Sequence, residues 1–480
     1  MISSPTAPRA TDVTVINADV GAGILGTVTV ARDDAGTTVV REVRPGAPAP
    51  RNRRGSGVLD AAGAAVTAGL TDHHLHLFAL AAASRSVPCG PPEVTDKAAL
   101  RRALTAARPD EHGWIRGVGY DESVAGDLTR DVLDTCGLSI PVRIQHRSGA
   151  LWMFNSRAID ALGLPTAQHR GIERTADRTA TGRVWRADDW LRDRLPGNSF
   201  PDLTEVGDAL ARAGVVEVTD ATPDLSAAAV DALARAVDDR RLPQRLHLLG
   251  VPLGMSVEHP RISVGPYKIV VADSDLPDPD TLAERFAAAH AVGRAVAVHV
   301  VSRPALALAL AAWSRAGTHP GDRLEHAAVA DPAAAAQIAA HGLTVVTQPG
   351  FLAHRGDAFL AESDVTDHDD LYRYGSLLAQ GIPVAMSSDA PYGPVDPWRN
   401  IDAAVHRRTR RGTVIGNGDR VAAQTALAHH QSPARSPAGP PRRVTAGHCG
   451  DLLVLDRRLA DVLADPCSVQ VRHNLIRWPD

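Results

Sequence analysis

Lysine is almost missing from this 480-residue chain: of 51 cationic side chains only Lys97 and Lys268 are not arginine. With so much Ala, Gly, Pro and Arg, the sequence reads as GC-rich coding that makes nearly every cation Arg, so a lysine that persists asks for a reason. Cysteine is scarce too. Cys89, Cys136, Cys449 and Cys467 lie far apart with no Cys-x-x-Cys pair, which argues against a disulfide framework and a thiolate zinc site. No long hydrophobic run occurs; the longest, 305–313, is about half of what a membrane span needs. The opening MISSPTAPRATDVTV lacks a charged segment followed by an apolar one, so no signal peptide is expected and a cytoplasmic location is the default. The net charge of −4 gives no strong field toward nucleic acid or anionic membrane. There is no P-loop, no dinucleotide fingerprint after a strand, no Gly-x-Ser-x-Gly and no basic–aromatic stripe.

What is present is ordinary globular material, 44% hydrophobic and 22% charged, unlike a disordered chain. At about 150 residues per domain the length allows roughly three domains and a sizeable core. Residues 12–60 hold short β-branched runs (DVTVINADV, GTVTVA) followed by Pro- and Arg-rich turns at 45–54. GDLLVLD at 450–456 and a run near 469–476 read as further strands. These two ends, 1–65 and 430–480, predict one small β-sandwich. The Pro- and Ser-rich stretch 431–443 predicts a mobile loop.

The middle, 66–429, alternates apolar strands with Ala-rich helices. Eight strands are expected at 66–70, 215–219, 245–251, 267–272, 295–299, 323–327, 343–347 and 384–388. The clearest helices are 281–292, 304–315, 332–341 and 370–380. Asp331-Pro332 marks a helix start, and Gly342 and Gly381 mark helix ends. Repeated βα units of this kind predict an α/β fold, a (β/α)₈ TIM barrel. Residues 90–210 break the repeat. With strand-like runs at 114–118 and 142–146 and with Trp152, Trp185 and Trp190, they predict an insertion over the barrel mouth.

Asp72-His73-His74-Leu75-His76 holds two histidines two apart, which project to the same side of a strand. A pair of neutral imidazoles suits zinc or a related divalent metal. In a chain with 20 histidines, one such pair also arises by chance, and solvated or core histidines are the bland alternative. Position separates the readings. His74 and His76 end strand one, Lys268 lies on strand four, His299 ends strand five, His326 ends strand six and Asp389 ends strand eight. Barrel enzymes gather their active sites at these strand ends.

VTAGLTDHHLHL, the strand-four lysine, AVHV, RLEHA and SSDAPYGPVDPW resemble the amidohydrolase superfamily, in particular the family 3 branch that includes proteins similar to N-substituted formamide deformylase. The resemblance spans nearly the whole chain. It implies a metal-dependent hydrolase that cleaves a C–N bond of a small amide, formamide or cyclic amide with metal-activated hydroxide. It further implies that His74, His76 and Asp389 bind a first metal, that His299 and His326 bind a second, and that a carbamate formed from Lys268 and carbon dioxide bridges them. Asp389 would also carry the proton from water to the departing amine. One or two divalent ions, zinc foremost, are the implied cofactors, and the partner is a small-molecule substrate; whether the chain forms a homo-oligomer stays open. Two alternatives stand beside this reading: a single-metal aminohydrolase (deaminase) in which Lys268 does not bridge, and a non-catalytic barrel. For Lys268 an ion pair is the bland alternative. Only lysine, though, can readily lose its proton and attack carbon dioxide.

Tyr120, His146, Arg147, Trp152 and Gln348 are candidate substrate contacts. Ala150 stands where relatives often carry the His of a Gly-His pair, so His146 or Arg147 would substitute for it. His73 is expected to face away from His74 and to be structural, Lys97 to lie on a surface helix, and His429 and His430 to be solvated.

Overall fold

The fold was obtained as a computed structural model, which describes residues 12–477 apart from 22, 33–37, 47–56, 198–199 and 274–275. The start of the chain and most of the 45–54 turns lie outside the described residues. By internal contacts the chain divides into two units, Met1–Leu77 with Leu203–Asp480, and Phe78–Asp202. The architecture is α/β.

In the first unit, Asp12–Asp19, Leu25–Arg32, Thr38–Pro45 and Gly57–Asp60 form a four-stranded sheet. Val66–Ala68, Leu452–Leu455 and Val471–Asn474 form a second sheet from both chain ends. β-Branched residues favour such pleated, half-buried surfaces. Val13, Val15, Val28, Val30 and Val40 of the first sheet share one core with Val66, Leu452 and Val454 of the second.

The expected strand 66–70 is in fact divided. Val66–Ala68 pairs with Leu452–Leu455, whereas Leu70–Leu75 pairs with Val215–Asp220. Gly69 is the switch. A Cβ there would lie 2.4 Å from a Val216 methyl and 3.0 Å from the Asp451 carbonyl, so only glycine lets the chain pass from one sheet to the other. A continuous apolar run does not reveal such a division, because both halves are buried.

Two parallel sheets follow. One orders Ile262–Val264, Arg245–Leu248, Val215–Asp220 and Leu70–Leu75; the other orders Tyr267–Val270, Val296–Val300, Arg323–His326, Thr344–Thr347 and Val384–Met386. Backbone hydrogen bonds join their margins, from Lys268 N to Leu249 O (3.1 Å) and from Asp389 N to His74 O (2.8 Å). Ile262–Val264 was not expected; a three-residue strand flanked closely by Pro260 and Gly265 carries too little pattern.

Helices Pro279–Ala291, Arg303–Ala316 and Pro332–Ala340 begin at Asp278, Ser302 and Asp331, whose side chains accept backbone N–H groups of the first turn. Their apolar residues Leu282, Phe286, Leu306, Trp313 and Ile338 pack with the strands in one core. The helix expected at 370–380 covers only Tyr374–Ala379, and a 3₁₀ turn, Val365–Asp370, precedes it. Past Gln431, which ends the helix Ala423–Gln431, the 431–443 stretch has no helix or strand, but it is anchored. Ser432 Oγ bonds His73 Nε2 at 3.0 Å, and Arg442 donates to Glu217, Thr71 and the Gly69 carbonyl.

The unit Phe78–Asp202 carries a six-stranded sheet in the order Ile172–Arg174, Ala180–Trp185, Leu151–Phe154, Val142–His146, Ile115–Tyr120, Val87–Pro88. The helix Lys97–Ala106, capped by Asp96, exposes Lys97. No helix among the described residues is long and apolar enough to cross a membrane.

Candidate metal centre

Strand Leu70–Leu75 delivers His74 at its end, with His76 just beyond it. His76 Nε2 lies 3.3 Å and His74 Nε2 3.5 Å from Asp389 Oδ1. Ligands about 2.0–2.2 Å from a tetrahedral ion are themselves roughly 3.3–3.5 Å apart, so this trio has the spacing of a shared cation. Among the described residues these three form the one His/Cys/Asp/Glu group whose ligand atoms all fall within 4.8 Å of one another.

The other expected residues converge on the same place. The His74 and His326 rings are 4.8 Å apart, and the His326 and His299 rings 4.5 Å. His326 Nδ1 is 3.7 Å from Asp389 Oδ2. Backbone geometry explains how His326 arrives. Arg323 and Glu325, two apart on the strand, project to one side, and His326 would by alternation project to the other. Its φ of 72° turns the chain out of the strand and brings the ring back. Asp389 has the same left-handed conformation, φ 51°. Such residues cost about 1–3 kcal/mol and gather at functional sites.

Hydrogen bonding leaves one side of several ligand candidates bare. His76 Nδ1 contacts Thr222 Oγ1 at 3.3 Å, and His326 Nδ1 contacts Gln348 Oε1 at 2.9 Å. His74 Nδ1 contacts the Glu325 carboxylate. Yet His74 Nε2, His326 Nε2, Asp389 Oδ1 and Lys268 Nζ are buried without any hydrogen-bond partner. Orphaned buried polar atoms are costly, and four at one site fit a divalent cation.

Electrostatics favours neutral ligands. Burial, followed by the charge of Lys268, holds the imidazoles of His74 well below and of His299 at about 3, far under the usual histidine value. His326 is held well below it by burial and by His299 beside it. Burial likewise brings the Lys268 ammonium down to about 8, against the opposing pull of Glu325 and Asp389. The carboxylate next to Lys268 is already taken, because Glu325 bonds both His74 and Arg323.

Several partners were not anticipated. Asp72 Oδ1 accepts the amides of His74 (3.2 Å) and Ser388 (3.1 Å), which ties strand one to strand eight. Glu325 and Arg323 were hidden inside RLEHA. A charged pair two apart on an otherwise apolar buried strand was the available signal. Gln348 is fully buried and partners His326.

Of the remaining candidates, Tyr120, His146, Arg147 and Trp152 belong to the unit Phe78–Asp202, where each has local partners. Tyr120 donates to Gly126 O at 2.7 Å, and His146 contacts Glu122 and Ser148. Arg147 pairs with Asp121 at 2.6 Å, and the Arg116 and Arg143 guanidinium groups lie over Trp152. His73 is buried against Ser432. His429 and His430 are not solvated. His429 meets the Tyr374 hydroxyl at 2.6 Å, and the buried His430 meets the Thr71 carbonyl at 3.0 Å, because their helix packs against strand Leu70–Leu75.

The model of the Amidohydrolase family matches residues 57–473, a span that contains every residue of this centre. The chain is 27% identical to N-substituted formamide deformylase of Arthrobacter pascens, over 84% of this chain and 85% of that protein. It is 25% identical to the putative amidohydrolase YtcJ of Bacillus subtilis, over 72% and 74%. Among solved structures, an uncharacterized metal-dependent hydrolase from Pyrococcus horikoshii OT3 superposes with a TM-score of 0.72 at 18% identity, covering 96% of this chain and 99% of that one. Its counterpart from Pyrococcus furiosus gives 0.68 at 20% identity, covering 92% and 98%.

Proposed function

The chain belongs to the amidohydrolase family, and from that premise we propose that it is a metal-dependent hydrolase of a small amide, formamide or cyclic amide. The observation that carries this reading is the convergence of buried, unpartnered ligand atoms on His74, His326, Lys268 and Asp389. We read the two parallel sheets as halves of one (β/α)₈ barrel, the terminal sheets as its companion β-sandwich, and the unit Phe78–Asp202 as an insertion after strand one.

His74, His76 and Asp389 would hold a first divalent ion, and His299 with His326 a second, zinc being the expected metal. Such an ion makes water acidic enough to serve as a nucleophile near neutral pH and polarises a carbonyl. Asp389 takes a proton from the attacking water and returns it to the amine nitrogen as the C–N bond breaks. Water is thereby divided, its oxygen going to the acyl carbon and a proton to the amine.

Lys268 would carry a carbamate. Its neutral amine would attack carbon dioxide: one N–C bond forms as a C–O π bond opens onto oxygen, and the proton released from nitrogen passes to water. A buried lysine at about 8 that lacks a partner supports this over an ion pair, because an unpaired buried ammonium is expensive. The test is elemental analysis of purified protein together with amine release from a panel of N-substituted formamides, before and after chelation. One to two ions per chain and activity lost on chelation, then restored by Zn²⁺, are expected. Protein without metal, indifferent to chelators, overturns the reading.

A further inference from the structure

Beneath the ligand cluster runs a buried polar chain that the hydrolytic reading does not use. Arg323 Nε donates to Glu325 Oε1 at 2.6 Å, the other carboxylate oxygen meets His74 Nδ1, and Arg323 Nη2 donates to the His73 carbonyl at 3.3 Å. The side chains of His74 and Glu325 are fully buried, and that of Arg323 is 1% exposed. A carboxylate held by a guanidinium accepts hydrogen bonds and does not donate them. It therefore requires the proton of His74 on Nδ1, which leaves the Nε2 lone pair bare on the side of Asp389. Arg323 also grips the carbonyl of the residue preceding His74, so a single guanidinium fixes both the carboxylate and the backbone that carries the ring.

We propose that Glu325, held by Arg323, is a positioning residue that sets the tautomer and ring orientation of His74 for metal capture. This rests on the reading of His74, His76 and Asp389 as a cation site. Partners of this kind behind a ligating histidine raise its basicity and fix its ring, and their loss weakens metal binding about 10–100-fold. Of the Nδ1 partners of His74, His76 and His326, three of the four candidate histidines, Glu325 is the charged one. His76 has a hydroxyl and His326 an amide, so the first site would lose most when its partner is changed.

Glu325→Gln tests this, because it keeps the size and removes the charge. Zn²⁺ affinity is read by competition with a chromophoric chelator, and folding by circular dichroism and thermal unfolding of the metal-free protein. A folded variant that binds Zn²⁺ 10–100-fold more weakly than wild type supports the proposal; unchanged affinity overturns it. Should the variant not fold, ¹⁵N-histidine NMR of metal-free wild type decides, with His74 assigned by loss of its signal in His74→Gln. Protonation at Nδ1 supports the proposal, and protonation at Nε2 overturns it. Wild type that takes up no Zn²⁺ overturns the cation-site reading, and this proposal with it, whereas wild-type uptake with an unaffected Glu325→Gln overturns the positioning role alone.

Discussion

The Asp389 amide donates a 2.8 Å hydrogen bond to the His74 carbonyl, so two candidate ligands far apart in sequence are joined through their own backbones. Asp72 repeats the link by accepting the amides of both His74 and Ser388. The cluster is thus held by main-chain geometry before any ion binds, and substitution of a side chain should change its chemistry more than its shape.

Asp389→Asn is the sharpest case. The amide keeps the size of the carboxylate but cannot take a proton from water. Turnover should fall about 10²–10⁴-fold, with the thermal midpoint close to wild type. Steady-state kinetics beside thermal unfolding checks both halves, and an unchanged kcat removes Asp389 from proton transfer.

Lys268→Arg separates a carbamate from an ion pair. Arginine would keep an ion pair but cannot react with carbon dioxide. Activity and bound metal should both fall, and a ¹³C carbamate signal present in wild type under ¹³CO₂ should vanish. An active Arg variant with full metal would assign Lys268 to charge pairing.

Gln348→Ala removes the acceptor 2.9 Å from His326 Nδ1 and the donor 2.8 Å from Ser387 Oγ. About 10–100-fold weaker binding at the His326 site is expected, visible as a weakened second equivalent in a metal titration. Equal affinity for both equivalents would detach Gln348 from the site.

Acid sensitivity has a specific source in His247, which is buried against Ser263 and held at about 3 by burial and then by Arg323. Its folded value lies below the unfolded one near 6.5. The unfolded chain therefore binds the extra proton first, and the associated stability is intact above about 6.5 and lost as pH falls toward 3. By pH 5.5 this one group should account for about 1 kcal/mol. Urea unfolding at both pH values measures it, and His247→Asn should show a shallower slope, by one proton.

Much of this was legible because the signals were local. Asp331-Pro332 caps a helix by chemistry that needs no tertiary partner, and His74, His299, His326 and Asp389 each fall at or just past the end of an expected strand. What stayed hidden depends on neighbours remote in sequence. The sheet switch at Gly69 is set by Val216 and Asp451, and the role of Glu325 by His74. The burial of His430 is set by the carbonyl of Thr71. His326 adds a subtler case, since alternation alone sends its ring to the wrong side and a left-handed backbone residue restores it.

The division at Gly69 also bears on biosynthesis. Among the described residues, Val66–Ala68 has one ladder partner in its sheet, Leu452–Leu455, which is synthesised after every strand of the two parallel sheets. Until then the lead-in to the first two histidines is an unpaired edge. A ribosome-bound chain stalled before residue 450 would therefore hold the histidine strand Leu70–Leu75 without the sheet that anchors the segment leading into it.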